Sequence, residues 1–343
     1  MGDGEKNAKS GKTLAASLAS ELRALDTPPE VPGGTPMSKV GDAADAVQMG
    51  ATKVQMLFAG GNGVPTDSAE SMLKEFHMNV VTFVAYVQSA MGTQGKTFDA
   101  GLKSAAVALS NTCGNFAIVA TATAKPSDML KPSLGGVWEA VKAIKKLPKD
   151  GRTAISKALL HSASFLKDVS AELAELGESS QDGGDGGDDG VDGDDKKAPR
   201  DEDDFRFDDD DFDDEEMRVA KQCAAFAAAA FQFMRDLVAP IVRGSASDVE
   251  ALEKVLDACK GFQLDVEEVG AGVYPPQDVS QMATHAGKAM DNAREMGAGV
   301  AEAGGVEGAE AAVAKLEGAY AELREVLLTA RGGGGATTEA DDA

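Results

Sequence analysis

The chain has 343 residues, an aromatic content of only 5% and a formal net charge of −24. That length holds two domains that each enclose an apolar core, and abundant alanine with few strand-forming runs favours helix over sheet. The negative balance argues against a protein built to grip nucleic acid or anionic membrane surfaces, since both reward clustered Lys and Arg.

Residues 1–35 read as a flexible start carrying a short helix near 15–25, and the loop over 27–36 contains four prolines. The polar first twelve residues lack the apolar stretch of a secretory signal, and no later segment approaches the roughly 20 apolar residues that span a bilayer. A cytoplasmic and nuclear location, with no membrane partner, is therefore expected. A first helical bundle is predicted over 36–177. In it Val40, Ala44, Val47, Ala51, Val54 and Leu57 recur at three- and four-residue steps and place a buried face on a helix over 37–59. Thr66 or Asp67 can cap a further helix reaching Met91, and another covers 98–123. Two more, 133–147 and 152–176, are joined by a break short enough to make them neighbours, a helix-loop-helix over 133–176.

Over 178–216 apolar periodicity disappears, and 20 acidic side chains stand against 4 basic ones. Such a segment cannot bury enough apolar surface to offset its ordering entropy, so it reads as a disordered acidic linker. A second bundle is predicted over 217–331. Its first helix carries Val219, Cys223, Phe226, Ala230, Phe233, Leu237 and Ile241 in alternating four- and three-residue steps, the seam of a helical bundle. Helices over 247–273, 277–303 and 306–330 follow, and residues 332–343 form a disordered tail. The fold class is all-α: two antiparallel helical bundles joined by a disordered linker.

Residues with the potential for chemistry are few. Ala90-Met91-Gly92-Thr93-Gln94-Gly95-Lys96-Thr97 fits a relaxed phosphate-loop pattern after the β-branched run 80–87. A working phosphate loop needs a strand before it and an acidic residue on a second strand for magnesium, and no such residue is found, so a helix-to-helix turn is the reading. His77, His161 and His285 stand alone, and Cys113, Cys223 and Cys259 lack metal-ligand spacing. Neither a cofactor, a metal nor a catalytic residue is expected. Two groups qualify as partner-binding candidates: the basic cluster Lys142, Lys145, Lys146, Lys149 and Arg152, and Phe205, Phe207 and Phe212 among the linker aspartates.

Two local patterns carry a resemblance. Val137-Trp138, the break Leu147-Pro148-Lys149-Asp150 and the ending Phe165-Leu166-Lys167-Asp168 resemble the helix-loop-helix of the cyclin-D-interacting family, and Tyr274-Pro275-Pro276 is similar to that family's Tyr-Pro-Pro turn. The resemblance implies two talin- or vinculin-like bundles and a non-enzymatic regulator that binds cyclin D, signalling adaptors and helix-loop-helix factors and restrains the cell cycle. An alternative within the same architecture is a talin- or vinculin-like cytoskeletal or signalling adaptor. Only Lys125 and Lys131 lie in residues 124–136, so the basic extension that a DNA-reading helix-loop-helix requires is missing and no direct DNA binding is expected. The family's leucine zipper would fall on 217–243, where Phe226 and Phe233 replace leucines and the seam suits packing inside its own bundle.

Overall fold

A computed structural model describes residues 2–27, 32, 34–59, 64–122, 127–178, 212–244, 246–304 and 308–333. The described residues are all-α, and the chain divides into two compact units, 1–155 and 156–343. The first unit contains α1 (Asp3–Glu21), a 3-10 turn (Leu22–Asp26), α2 (Met37–Phe58), α3 (Thr66–Ala90), α4 (Lys96–Thr121) and α5 (Ser127–Lys145). Its core is a spine of Val40, Val47, Phe76, Val80, Phe83, Leu109 and Phe116, all fully buried, with Phe76 and Phe116 meeting edge to face at 5.9 Å. Five of the six positions predicted to line one face of α2, from Val40 to Val54, are fully buried, and Leu57 is half-buried.

The N-terminal segment differs from the expectation of a flexible arm with a short helix. α1 spans 19 residues and inserts between α3 and α4. It buries Asn7, Gly11, Leu14 and Leu18, one helical stripe whose first two members are not apolar. Gly11 is there for proximity: a Cβ at this position would lie 2.8 Å from the Ala117 carbonyl oxygen on α4 and clash with Thr121. Gly114 answers from α4, facing Ala15. The loop expected at 27–36 is described only in part.

Residues 80–87 lie inside α3, so no strand leads into Gly92 and Gly95. Both glycines have positive φ (95° and 91°), and the Gly92 amide donates to the Asp99 carboxylate oxygens at 3.2 and 3.0 Å. This is the turn between helices that the sequence suggests. Thr66 and Asp67 do not cap α3: Pro65 occupies the N-cap with no side-chain bond, and the Thr66 hydroxyl donates instead to Asp3 at 2.6 Å.

α6 (Gly151–Glu178) changes the domain boundary. Its first turn belongs to the first unit, where the Gly151 amide donates to Gln94 at 3.2 Å, but from Ser156 onward it belongs to the second. The segment 36–177, in which a helix-loop-helix was expected, thus spans the division at residue 155, with α5 and most of α6 in different units. Periodicity marks which face of a helix is buried but not which neighbour buries it. α6 meets α8 (Val249–Ala271), where Val169 and Leu173 fill the space beside Gly270.

The remaining helices of the second unit are α7 (Asp214–Arg243), α9 (Val279–Glu302) and α10 (Ala309–Gly333). α7 pairs with α10, α8 with α9, and α9 with α10. All seven seam residues of α7 are buried, so this face is spent within the bundle and not on a zipper. By length and composition α7 is nonetheless apolar enough to cross a membrane, contrary to the expectation that no segment qualifies. Ala224, Ala225, Ala228 and Ala229 add hydropathy outside the buried seam.

Acidic residues predicted to end the linker instead start α7. The Asp213 carboxylate accepts from the Glu215 and Glu216 amides at 2.8 and 2.7 Å, and the Asp213 amide donates to Glu216 at 3.1 Å. This capping box, with Asp214 and Glu215 in the first turn, satisfies orphan amides and complements the helix dipole. Residues 179–211 of the linker and 334–343 of the tail lie outside the described residues.

Candidate functional site

The family-motif residues divide between core and surface. Val137 on α5 and Leu166 on α6 are fully buried, whereas Trp138, the single tryptophan, is 45% exposed. Phe165 is half-buried, and Lys167 and Asp168 are exposed. Leu147 and Pro148 form the half-buried turn before α6, and Asp150 caps that helix by accepting the Thr153 amide at 2.8 Å. This hydrogen bond holds the Asp150 carboxyl below its ordinary range. Tyr274 is half-buried between α8 and α9, and its hydroxyl donates to Glu172 of α6 at 2.8 Å. Burial, followed by that carboxylate, pushes the phenol up to about 12. Pro275 and Pro276 are exposed.

The basic cluster forms a ridge on the first unit. Trp138, Lys142 and Lys145 follow one another at four- and three-residue steps on α5 and so share a face, and Lys149 lies in the turn that follows. Lys145 is tied to Asp45 at 2.6 Å and Lys142 to Glu139 at 3.5 Å, while Lys146 and Lys149 are exposed and Arg152 is half-buried. Phe212 is half-buried just before the capping box, and Phe205 and Phe207 lie outside the described residues.

A second surface was not anticipated in the sequence. In the second unit, α6 and α7 leave a groove of about 430 Å³ lined by Leu160, Ala163, Phe231, Val238 and Val242. Leu160 and Val242 are 50% and 48% exposed. Lys167, Arg235 and Arg243 stand on its rim, all exposed, and none forms an ion pair among the described residues. Three unpaired cations around an apolar floor, on a chain of net charge −24, suit an acidic, amphipathic ligand. The sequence signal was a second apolar stripe on α7, Phe231, Val238 and Val242, beside the seam that attracted attention.

The three cysteines are buried and unbonded to one another. Cys223 and Cys259 have thiols pushed up to about 12 and about 11 by burial, and Cys113 is raised further still. Neutral, enclosed thiols of this kind are poor nucleophiles. His285 is not isolated: its Nδ1 lies 2.9 Å from the buried carboxylate of Asp265.

A model described as Grap2 and cyclin-D-interacting, N-terminal, matches residues 39–179, and its C-terminal counterpart matches residues 192–298. The N-terminal match starts after α1 and ends after α6. No curated protein matches the chain.

Proposed function

The chain belongs to the Grap2 and cyclin-D-interacting family, and from that premise we propose that it is a non-enzymatic regulator that binds a D-type cyclin through the groove between α6 and α7. The observation that carries this reading is the groove itself, lined by the exposed apolar side chains of Leu160 and Val242 together with Lys167, Arg235 and Arg243. An apolar centre inside a charged rim is the usual anatomy of a protein-binding surface. The basic ridge around Trp138 is a second surface this role would use. Cytoplasm and nucleus, where cyclins act, are the compartments the proposal requires.

Helix-loop-helix partnering receives less support. The apolar faces of α5 (Leu130, Leu134, Val137, Val141, Ile144) and α6 (Ile155, Leu159, Leu166, Leu173) are already buried, so exchanging them with a partner would require opening both cores. A cytoskeletal adaptor would use the same outer faces as a cyclin-binding protein, and filament co-sedimentation separates the two.

The test is calorimetric titration of the full chain with a purified D-type cyclin, repeated with Leu160→Asp/Val242→Asp. Saturable binding weakened about tenfold or more in the double variant, with melting unchanged, is the expected result for two anchors at an interface centre. Absence of binding, or equal affinity in both proteins, rejects the proposal.

A further inference from the structure

A second cavity lies in the first unit, remote in sequence from the groove already described. α1 and α3 diverge around about 530 Å³ lined by Lys6, Lys9, Ser10, Thr13 and Ser17 on one side and Glu70, Lys74 and His77 on the other, over a floor of Leu14 and Leu73. The space has a simple cause. Where a tightly packed helix pair would interdigitate large apolar side chains, α1 presents three short hydroxyl residues that leave the gap unfilled.

Its chemistry is that of a donor set. Lys6, Lys9 and Lys74 are exposed and form no ion pair among the described residues, so three ammonium groups face one carboxylate, Glu70, on a chain whose overall balance is strongly negative. The hydroxyls of Ser10 and Thr13 donate to the carbonyls of Lys6 and Lys9 at 3.2 and 3.0 Å, which leaves Ser17 as the uncommitted hydroxyl donor. At the inner end His77 Nε2 is buried and has no hydrogen-bond partner. A buried polar nitrogen normally finds one, because leaving it unpaired forfeits its hydration without return. That nitrogen is closed to solvent, so an oxyanion between the lysines would supply the partner on a turn of the His77 ring toward the cavity.

We propose that the cavity between α1 and α3 binds a small phosphorylated molecule, with Lys6, Lys9 and Lys74 holding the phosphoryl oxygens and His77 Nε2–H and Ser17 donating at the inner end. Lysine ammonium groups serve phosphate as point charges and do not require the planar fit that a guanidinium imposes. The volume exceeds what a lone phosphate occupies and falls within the range of small-molecule pockets. The cavity depends on α1, which precedes the segment matched by the family, so the property is not implied by membership.

The experiment is calorimetric titration of the full chain with inositol hexakisphosphate and with inorganic pyrophosphate, and flotation with phosphatidylcholine vesicles with and without phosphatidylinositol phosphate. Saturable binding of a soluble probe is expected, weakened about tenfold by Lys74→Ala and again by His77→Leu, each loss corresponding to one charge-assisted or buried hydrogen bond. Lys142→Ala/Lys146→Ala, on the distant ridge, should leave affinity unchanged and so separates a site from general attraction to cations. Binding to phosphoinositide vesicles alone would assign the phosphoryl group to a lipid headgroup and keep the same site, provided Lys74→Ala abolishes it. Lack of binding to every probe, or binding that Lys6→Ala/Lys9→Ala and Lys74→Ala leave intact, overturns the proposal.

Discussion

Asp265 on α8 is buried with both carboxylate oxygens in use. One lies 2.9 Å from Nδ1 of His285, and the other accepts from Nδ2 of Asn292 at 3.0 Å, with both partners on α9. Gly261 makes room for Asn292, since a Cβ there would lie 2.9 Å from its amide nitrogen. Asp265→Ala leaves two donors facing an empty site and should cost about 2 kcal/mol, read as a lower unfolding midpoint in denaturant. Asp150 offers a pH-dependent counterpart. Its folded carboxyl is depressed by the Thr153 amide, so its contribution is present in full above the ordinary carboxylate range and fades as pH falls through the folded value. Asp150→Ala should therefore cost about 1 kcal/mol near neutral pH, and the gap from the native chain should close as pH falls through that depressed value. The two pairs differ in how far the sequence reveals them. The carboxylate of Asp150 is three residues from the amide it caps, and that spacing can be read locally; Asp265 and His285 are twenty apart on two helices, and only the register of those helices brings them together.

Elements were legible to the extent that their buried stripes were apolar. α7 declared itself because Val219 through Ile241 step by four and three, and each lies in the core. α1 did not, because its buried stripe begins with Asn7 and Gly11, residues that argue against a helix by propensity and are present for closeness to α4. Gly11→Ala makes the point measurable. Alanine improves intrinsic helicity by about 1 kcal/mol, yet its methyl meets the Ala117 carbonyl and Thr121, a crowding that costs about 1–3 kcal/mol. Net loss is expected, with faster amide exchange confined to α1 and its neighbours. If Gly11→Ala stabilises the chain instead, the close crossing of α1 and α4 is wrong.

At the scale of the molecule, the seam positions and the acidic stretch both pointed to two helical bundles, but the boundary between them could not be read from periodicity. The short turn 147–150 suggested that α5 and α6 pair within one domain, whereas the apolar residues of α6 find their partners in the second unit. That assignment has a consequence for cooperative unfolding. Phe76 anchors the first core, and Phe262, edge-on to Phe233 at 5.4 Å, anchors the second. Truncating either to alanine should cost about 3–5 kcal/mol and weaken amide protection in its own unit. Leu166, fully buried in the middle of α6, decides where that helix belongs. Leu166→Ala should cost about 2–5 kcal/mol and release the amides of α8 and α7, as Phe262→Ala does, while α2 to α4 keep their protection. Hydrogen exchange followed by mass spectrometry reads this directly. Loosening of α2 to α4 with α8 still protected would return α6 to the first unit.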